Sequence, residues 1–222
     1  MADRPGRARG RFITFEGGEG AGKSTQIRLL ADALAASGIE VCLTREPGGS
    51  PGAEQIRELL VTGETGRWDA LTELLLLYAA RRDHVQRLIE PALARGCWVL
   101  CDRFADSTMA YQGYGHGLEL EKIRDLHRIV LGALKPDLTL VLDLAPEIGL
   151  ARTRAGGEAE RRGGEDRFER MELAFHERMR EGFHAIAKAE PERVALVNAA
   201  RDTDAVTAEV ASLVRARLGA AV

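Results

Sequence analysis

Short apolar runs alternate along this chain with longer stretches of helical periodicity. Phe12 to Phe15, Glu40 to Thr44, Trp98 to Cys101, Leu138 to Leu144 and Val194 to Val197 have the length and composition of strands, and the segments between them repeat their apolar residues at helical spacing. Strands separated by helices predict an α/β fold, with a five-stranded parallel sheet covered by helices on both faces. Such sheets bind ligands beyond the carboxyl ends of their strands. The first helix is expected over Thr25 to Ala36, from Ile27, Leu30 and Leu34, with Gly38 ending it.

A longer helix is expected from Asp69 to Arg95. Leu71, Leu74, Leu75, Tyr78, Val85, Leu88 and Ile89 fall on one side of it, a face wide enough to serve the core and to leave surface for a partner helix. Further on, a helix starts at Pro146 and another contains Met171 to Met179. Ala155 to Gly164 between them is rich in Gly, Ala, Glu and Arg, and reads as a mobile surface loop.

The 222 residues are compatible with a single domain, and 45% hydrophobic content can build its core. Net charge is −3, so no global basic field draws in nucleic acid, and a small-molecule partner is expected instead. Of 31 basic residues only Lys23, Lys122, Lys135 and Lys188 are lysines. The rest are arginines, and those inside motifs merit a functional reading. Cys42, Cys97 and Cys101 are odd in number, and two of them flank the apolar run at Trp98. They read as buried free thiols of a reducing, cytoplasmic compartment rather than a disulfide framework or zinc site. No run approaches membrane-spanning length. The arginine-rich start, about residues 1–10, lacks the apolar core of a secretory signal and reads as a flexible tail.

The chemistry begins where the first strand ends. Gly17-Gly18-Glu19-Gly20-Ala21-Gly22-Lys23-Ser24 has the G-x-x-x-x-G-K-S spacing and is followed by Thr25, between a strand and a helix. Backbone N–H groups of such a loop point at phosphate oxygens, beside the positive end of the next helix. Lys23 is placed to reach the β- and γ-phosphates of a nucleotide, and Ser24 to ligate Mg²⁺. Asp102 ends the third strand and is the second candidate for Mg²⁺. Arg103 beside it faces the same cleft, or forms only a surface pair with Asp102. Thr44-Arg45-Glu46-Pro47-Gly48-Gly49-Ser50 puts a charged turn at another strand end. Arg152, Arg154 and Arg167 bracket the glycine-rich loop, where each serves either a transferring phosphoryl group or a solvated helix. Asn198 is the only asparagine, so a guanine-reading N-K-x-D motif is excluded and ATP is the expected donor.

Taken together, F-E-G-G-E-G-A-G-K-S-T, T-R-E-P-G-G and D-R-F-A-D-S-T-M-A-Y-Q-G resemble the thymidylate kinase family, over about residues 11–218, in its bacterial subgroup with a lid arginine. The resemblance implies a three-layer P-loop nucleoside monophosphate kinase fold, with a lid at about 152–167, and ATP-dependent conversion of dTMP to dTDP with Mg²⁺. It implies Glu16, Arg45 and Arg103 around the acceptor phosphate and Pro47 at the sugar. Arg57, Arg81, Ser107, Thr108 and Gln112 match positions around thymidine, with Arg81 and Thr108 reading the base. Tyr111 matches the position that crowds a ribose 2′-hydroxyl, Arg152 the lid arginine, and Ala199 to Arg201 a loop near adenine. Lys23, Arg103, Arg152 and Glu16 are the implied catalytic set, and a homodimer through helices like Asp69 to Arg95 is implied as well. One departure is Leu77, where the family usually stacks a phenylalanine on thymine. Tyr78 next to it is the alternative stacking group. Other nucleotide kinases and phosphate-loop switch ATPases are the rival readings of the same loop.

Overall fold

The computed structural model describes residues 8–64, 66–155 and 171–220. Five parallel strands form one sheet: β1 (Phe12–Glu16), β2 (Val41–Arg45), β3 (Trp98–Asp102), β4 (Leu138–Asp143) and β5 (Val194–Asn198), in the order β2-β3-β1-β4-β5. Each expected strand is present, and each expected end lies within one residue of the observed one. β1 is central, with Phe12 opposite Val99 of β3 and Ile13 opposite Leu138 of β4.

Strand alternation sends neighbouring residues of β1 to opposite faces. Ile13 and Phe15 join Leu140, Leu142 and Val197 under helix α1 (Lys23–Ala36) and the C-terminal helix at Thr203–Leu218, which bring in Ile27, Leu30, Leu34, Val210 and Val214. Phe12 faces the other layer, with Val99, Tyr78, Ile89, Phe104 and Ile123. Thr14 and Glu16 share that second face yet are polar and fully buried. This face therefore carries a polar strip leading to the strand ends. α1 begins at Lys23, two residues earlier than expected, because Gly22 at its N-cap has φ of +89° and turns the loop directly into the helix.

The segment expected as one helix from Asp69 to Arg95 is α3 (Ala70–His84), a π-helical turn over Val85–Ile89 and α4 (Glu90–Ala94). It follows α2 (Pro51–Val61), a helix that the turn-rich Glu46 to Ser50 segment concealed. The Asp69 side chain caps α3 by accepting from the N–H groups of Leu71 and Thr72 at 3.0 and 3.1 Å. Pro91, which lacks an N–H, lies in the first turn of α4, where the helical register changes. The single apolar side expected there is in fact divided. Leu74, Tyr78, Val85 and Ile89 are buried, whereas Leu71 and Leu75 remain 50% and 52% exposed.

After β3 come α5 (Ala105–Thr108), a second π-helical turn at Met109–Gly115 and α6 (Leu120–Leu131). α7 (Pro146–Ala155) follows β4, and α8 (Leu173–Ala189) lays Phe175, Met179 and Phe183 against Ala110, Tyr111 and Val141. Met171, expected inside this helix, precedes it. α9 is the C-terminal helix Thr203–Leu218. Of the expected loop at Ala155 to Gly164, Ala155 ends α7 and the remainder lies outside the described residues. The same holds for the lid region, of which only 152–155 are described. Near the N-terminus, Arg9 and Arg11 pair with Asp137 at 3.0 and 3.4 Å, and the Gly10 N–H donates to the Leu93 carbonyl, so the chain is anchored before β1 begins. All three cysteines are free, Cys97 and Cys101 buried and Cys42 half-buried. Among the described residues no helix is long and apolar enough to cross a membrane.

Candidate active site

A cleft of about 460 Å³ opens at the carboxyl ends of β1, β2 and β3. Its floor is the loop from Glu19 to Thr25, and its walls come from the β2–α2 connection, α3 and the segment after β3. Gly20 brings the loop so close to α7 that a Cβ on it would lie 2.2 Å from the Gly149 carbonyl oxygen. A Cβ on Gly149 would in turn lie 2.3 Å from the Glu19 carbonyl oxygen, so the two backbones touch.

Lys23 is buried at this floor, and its Nζ donates to the carbonyls of Gly17 and Gly18 at 3.2 and 2.7 Å. Burial and the nearby Arg103 lower its pKa to about 8. Ser24 Oγ donates to Asp102 Oδ2 at 3.1 Å, which joins two hard oxygen ligands across the top of the sheet. This donor set fits Mg²⁺, which takes one or two protein oxygens and fills its remaining positions with water and phosphate. Among the described residues no cluster of three or more His, Cys, Asp or Glu is arranged to cage a metal by itself.

Arg103 adopts φ of +68°, rare for a side chain of its size, and turns its guanidinium back along the loop. It donates to the Gly17 carbonyl at 3.0 Å, to Ser107 Oγ at 3.2 Å and to Glu19 at 2.7 Å. Tyr111 stacks under it, 5.0 Å from ring centroid to guanidinium carbon, and donates its hydroxyl to Glu19 at 2.8 Å. Burial pushes the Glu19 carboxyl upward, but Arg103, Lys23, the Tyr111 hydroxyl and His176 together hold it below the usual range. Arg103 is thus fixed inside the cleft and is not a strand-end surface pair with Asp102.

Glu16 is fully enclosed beneath this wall and is not among the residues lining the cleft. It accepts from the Phe104 N–H at 2.8 Å and from the Ser107 hydroxyl. Burial, reinforced by Asp106, raises its pKa to about 8. Asp106 is itself held by Arg193 and receives the Thr139 hydroxyl at 3.0 Å.

On the opposite wall, the Glu46–Pro47 peptide is cis. Arg57 donates to the Pro47 carbonyl at 2.6 Å, and Arg45, half exposed, pairs with Glu54 at 3.1 Å. Leu77 lines the cleft and packs with Leu60 and Val61. Tyr78 lies on the far side of α3, in the core behind Arg81. Arg81, also in α3, reaches Thr108 Oγ1 at 2.9 Å and Glu46 at 2.6 Å. Gln112 donates to Glu73 at 2.8 Å at the inner end.

Arg152 stands apart from the cleft lining. Its Nη1 donates to the carbonyls of Ala199 and Gly20 at 3.3 and 3.5 Å, tying α7 to the loop after β5 and to the phosphate loop. Arg154 is exposed at the end of α7, and Arg167 lies outside the described residues. In the Ala199 to Arg201 loop, Ala200 N–H is capped by Asn198 and Arg201 pairs with Glu209. Glu46, Glu73, Asp106 and Arg193 were not singled out from the sequence. Glu46 and Asp106 lay within quoted motifs, Glu73 and Arg193 in none.

Residues 15–210 match the family model described as thymidylate kinase. The chain belongs to the thymidylate kinase family. It is 59% identical over 210 residues to the thymidylate kinase of Caulobacter vibrioides, covering 95% of this chain and 98% of that one. It is 51% identical over 225 residues to the thymidylate kinase of a Bradyrhizobium species, strain ORS 278, covering 100% and 98%. The crystal structure of thymidylate kinase from Ehrlichia chaffeensis superposes with a TM-score of 0.73 at 36% identity, covering 93% of this chain and 99% of that one. The sheet order and the phosphate loop are therefore those of a P-loop nucleoside monophosphate kinase.

Proposed function

We infer that this chain is a thymidylate kinase, transferring the γ-phosphoryl group of ATP to dTMP to give dTDP. The observation that carries this reading is one cleft in which the phosphate loop and a second polar pocket share the rim formed by Lys23, Asp102 and Arg103. A phosphate acceptor is already a nucleophile, so what the protein must supply is position and positive charge.

In this reading the loop N–H groups and Lys23 hold the donor phosphates, in a loop running from Gly17 to Thr25. Arg103 and Arg45 grip the acceptor phosphate, with Arg103 on the line between donor and acceptor. Glu16 acts from beneath, fixing Ser107 and the Phe104 peptide. Pro47 and Arg57 shape the sugar side, Tyr111 stands where a 2′-hydroxyl would fall, and Leu77 covers one face of the base. Arg81 and Thr108 read its edge, with Ser107 and Gln112 completing the wall. Arg152 supplies charge from the α7 side. Ser24 and Asp102 would hold Mg²⁺, which would supply charge neutralisation for the donor phosphates.

The protein forms a homodimer in this reading. Leu71 and Leu75 of α3 and Ile129 of α6, the last 80% exposed, support it, together with the groove between those helices lined by Leu75, Ala79, Leu126 and Ile129. One kinase unit spans the chain and works in the cytoplasm, where free thiols such as Cys97 and Cys101 persist.

The deciding experiment follows ADP release with Mg²⁺-ATP against dTMP, dUMP, dCMP, dGMP, AMP and thymidine. A rate confined largely to dTMP is expected. Preference for another acceptor overturns the pocket assignment, and ATP turnover indifferent to every acceptor overturns the kinase.

A further inference from the structure

Arg81 is among the most enclosed groups in the molecule, 2% exposed, and its Nε and Nη2 are engaged inside the protein. Its Nε donates to Glu46 Oε2 at 2.6 Å. Its Nη2 donates to Thr108 Oγ1 at 2.9 Å and to the Phe104 carbonyl at 3.2 Å. The rings of Tyr78 and Phe104 lie 4.9 and 5.2 Å from its guanidinium carbon. Nη1 alone is buried with no hydrogen-bond partner among the described residues, on a side chain that lines the cleft. A buried donor left unmatched costs about 1–3 kcal/mol, so Nη1 marks a place where a ligand acceptor belongs.

Behind Arg81 the hydrogen bonds continue. Glu46 Oε1 meets His84 Nδ1 at 2.9 Å, and His84 Nε2 meets Thr44 Oγ1 at 2.7 Å. With the proton on Nδ1, His84 donates to Glu46 and accepts from Thr44, and every polar atom of the relay is matched. His84 is fully buried and outside the cleft lining. Gly49 makes room for it, since a Cβ there would lie 2.4 Å from His84 Nε2. The end of β2 and the last turn of α3 are thus joined behind Arg81 through Thr44 and His84.

We propose that Glu46 and His84 are positioning residues that set the choice of acceptor base, by holding Arg81 in one orientation with Nη1 offered to a ring carbonyl. The proposal rests on the reading of Arg81 given above. A guanidinium has only donors, so it accepts a pyrimidine with a carbonyl at C4 and opposes one with an amino group there. A guanidinium free to swing aside would relieve that opposition. Its rigid support therefore converts a favourable contact into discrimination.

The test is the ratio of kcat/KM for dTMP to that for dCMP, with KM for ATP measured alongside. Arg81→Met sets the scale and is expected to lower the ratio about a hundredfold. Glu46→Gln and His84→Leu are each expected to lower it about tenfold while KM for ATP stays within about twofold. A ratio unchanged in both, with Arg81→Met still impaired, overturns the positioning role and leaves the base reading intact. A ratio unchanged in Arg81→Met overturns the base reading and the positioning role with it. If Glu46→Gln and His84→Leu fail to fold, Thr44→Val, which removes only the outermost hydrogen bond, decides: a lowered ratio supports the relay and a wild-type ratio overturns it.

Discussion

Arg193 grips Asp106 through two parallel hydrogen bonds of 2.6 and 2.9 Å across 87 residues of chain. The same guanidinium reaches Thr139 at 2.8 Å and Glu190 at 3.0 and 3.1 Å. Because Asp106 lies in α5, between the Phe104 peptide and Ser107, this fork ties the acceptor wall of the cleft to the entrance of β5. Removing one partner leaves the other charge buried and unpaired. Arg193→Met is therefore expected to destabilise the protein by about 3 kcal/mol in urea denaturation, and adding Asp106→Leu to recover more than half of that. A single variant as stable as wild type would remove the fork from the account of stability.

Glu16 makes stability depend on pH. Its folded pKa, about 8, lies above its ordinary value of 4.5, so between those values the folded chain keeps a proton that the unfolded chain releases. This contribution is fully present below pH 4.5 and is lost as pH rises towards 8. Urea midpoints at pH 5, 6, 7 and 8 are expected to fall for wild type relative to Glu16→Gln, which cannot titrate. Parallel curves would refute the buried acid.

Lys23→Ala and Arg103→Ala are each expected to lower kcat/KM by at least about a hundredfold, since each removes positive charge where phosphoryl transfer concentrates negative charge. Lys23 also predicts proton uptake. With its pKa lowered to about 8, the free enzyme at pH 8.5 is partly deprotonated there, and the ATP polyanion draws the proton back. Calorimetric titration of ATP in buffers of different ionisation enthalpy reads that uptake, which Lys23→Ala abolishes.

Leu77→Phe is expected to lower KM for dTMP severalfold, because an aromatic face adds about 1 kcal/mol of stacking to the apolar cover that leucine already gives. Steady-state kinetics with saturating ATP measure it. An unchanged or raised KM counts against Leu77 as the residue covering the base.

In sedimentation velocity at micromolar concentration wild type is expected to sediment as a dimer and Leu75→Asp as a monomer. A dimer that survives this charge, placed on the exposed part of α3, puts the interface elsewhere.

Strands were legible to within a residue because each is a short apolar run, and the phosphate loop because its glycines and lysine are adjacent in sequence. The division of α3 was not legible. Leu71 and Leu75 share a helical stripe with Tyr78, and periodicity alone does not say which part of a wide stripe the core claims. α2 was hidden because Pro51, which starts it, follows Gly48-Gly49-Ser50, residues that favour a turn. Glu46 with His84, and Asp106 with Arg193, escaped notice for a different reason. Their roles exist only as pairs, and each pair is joined by folding across tens of residues. Glu16 was expected at the acceptor phosphate, and its place beneath the wall depends on Ser107 and Phe104 arriving above it.

Gly149 sits inside a helix, where glycine is ordinarily a weakness worth about 1 kcal/mol against alanine. Replacing helical glycines with alanine is a routine way to raise thermal tolerance. Here the remedy would harm, because α7 at Gly149 and the phosphate loop at Gly20 meet backbone to backbone, and a single methyl on either side would push the nucleotide cradle away from its support. Stabilising this enzyme by engineering must leave both positions untouched, although 128 residues separate the loop that a designer would protect from the helix that a designer would improve.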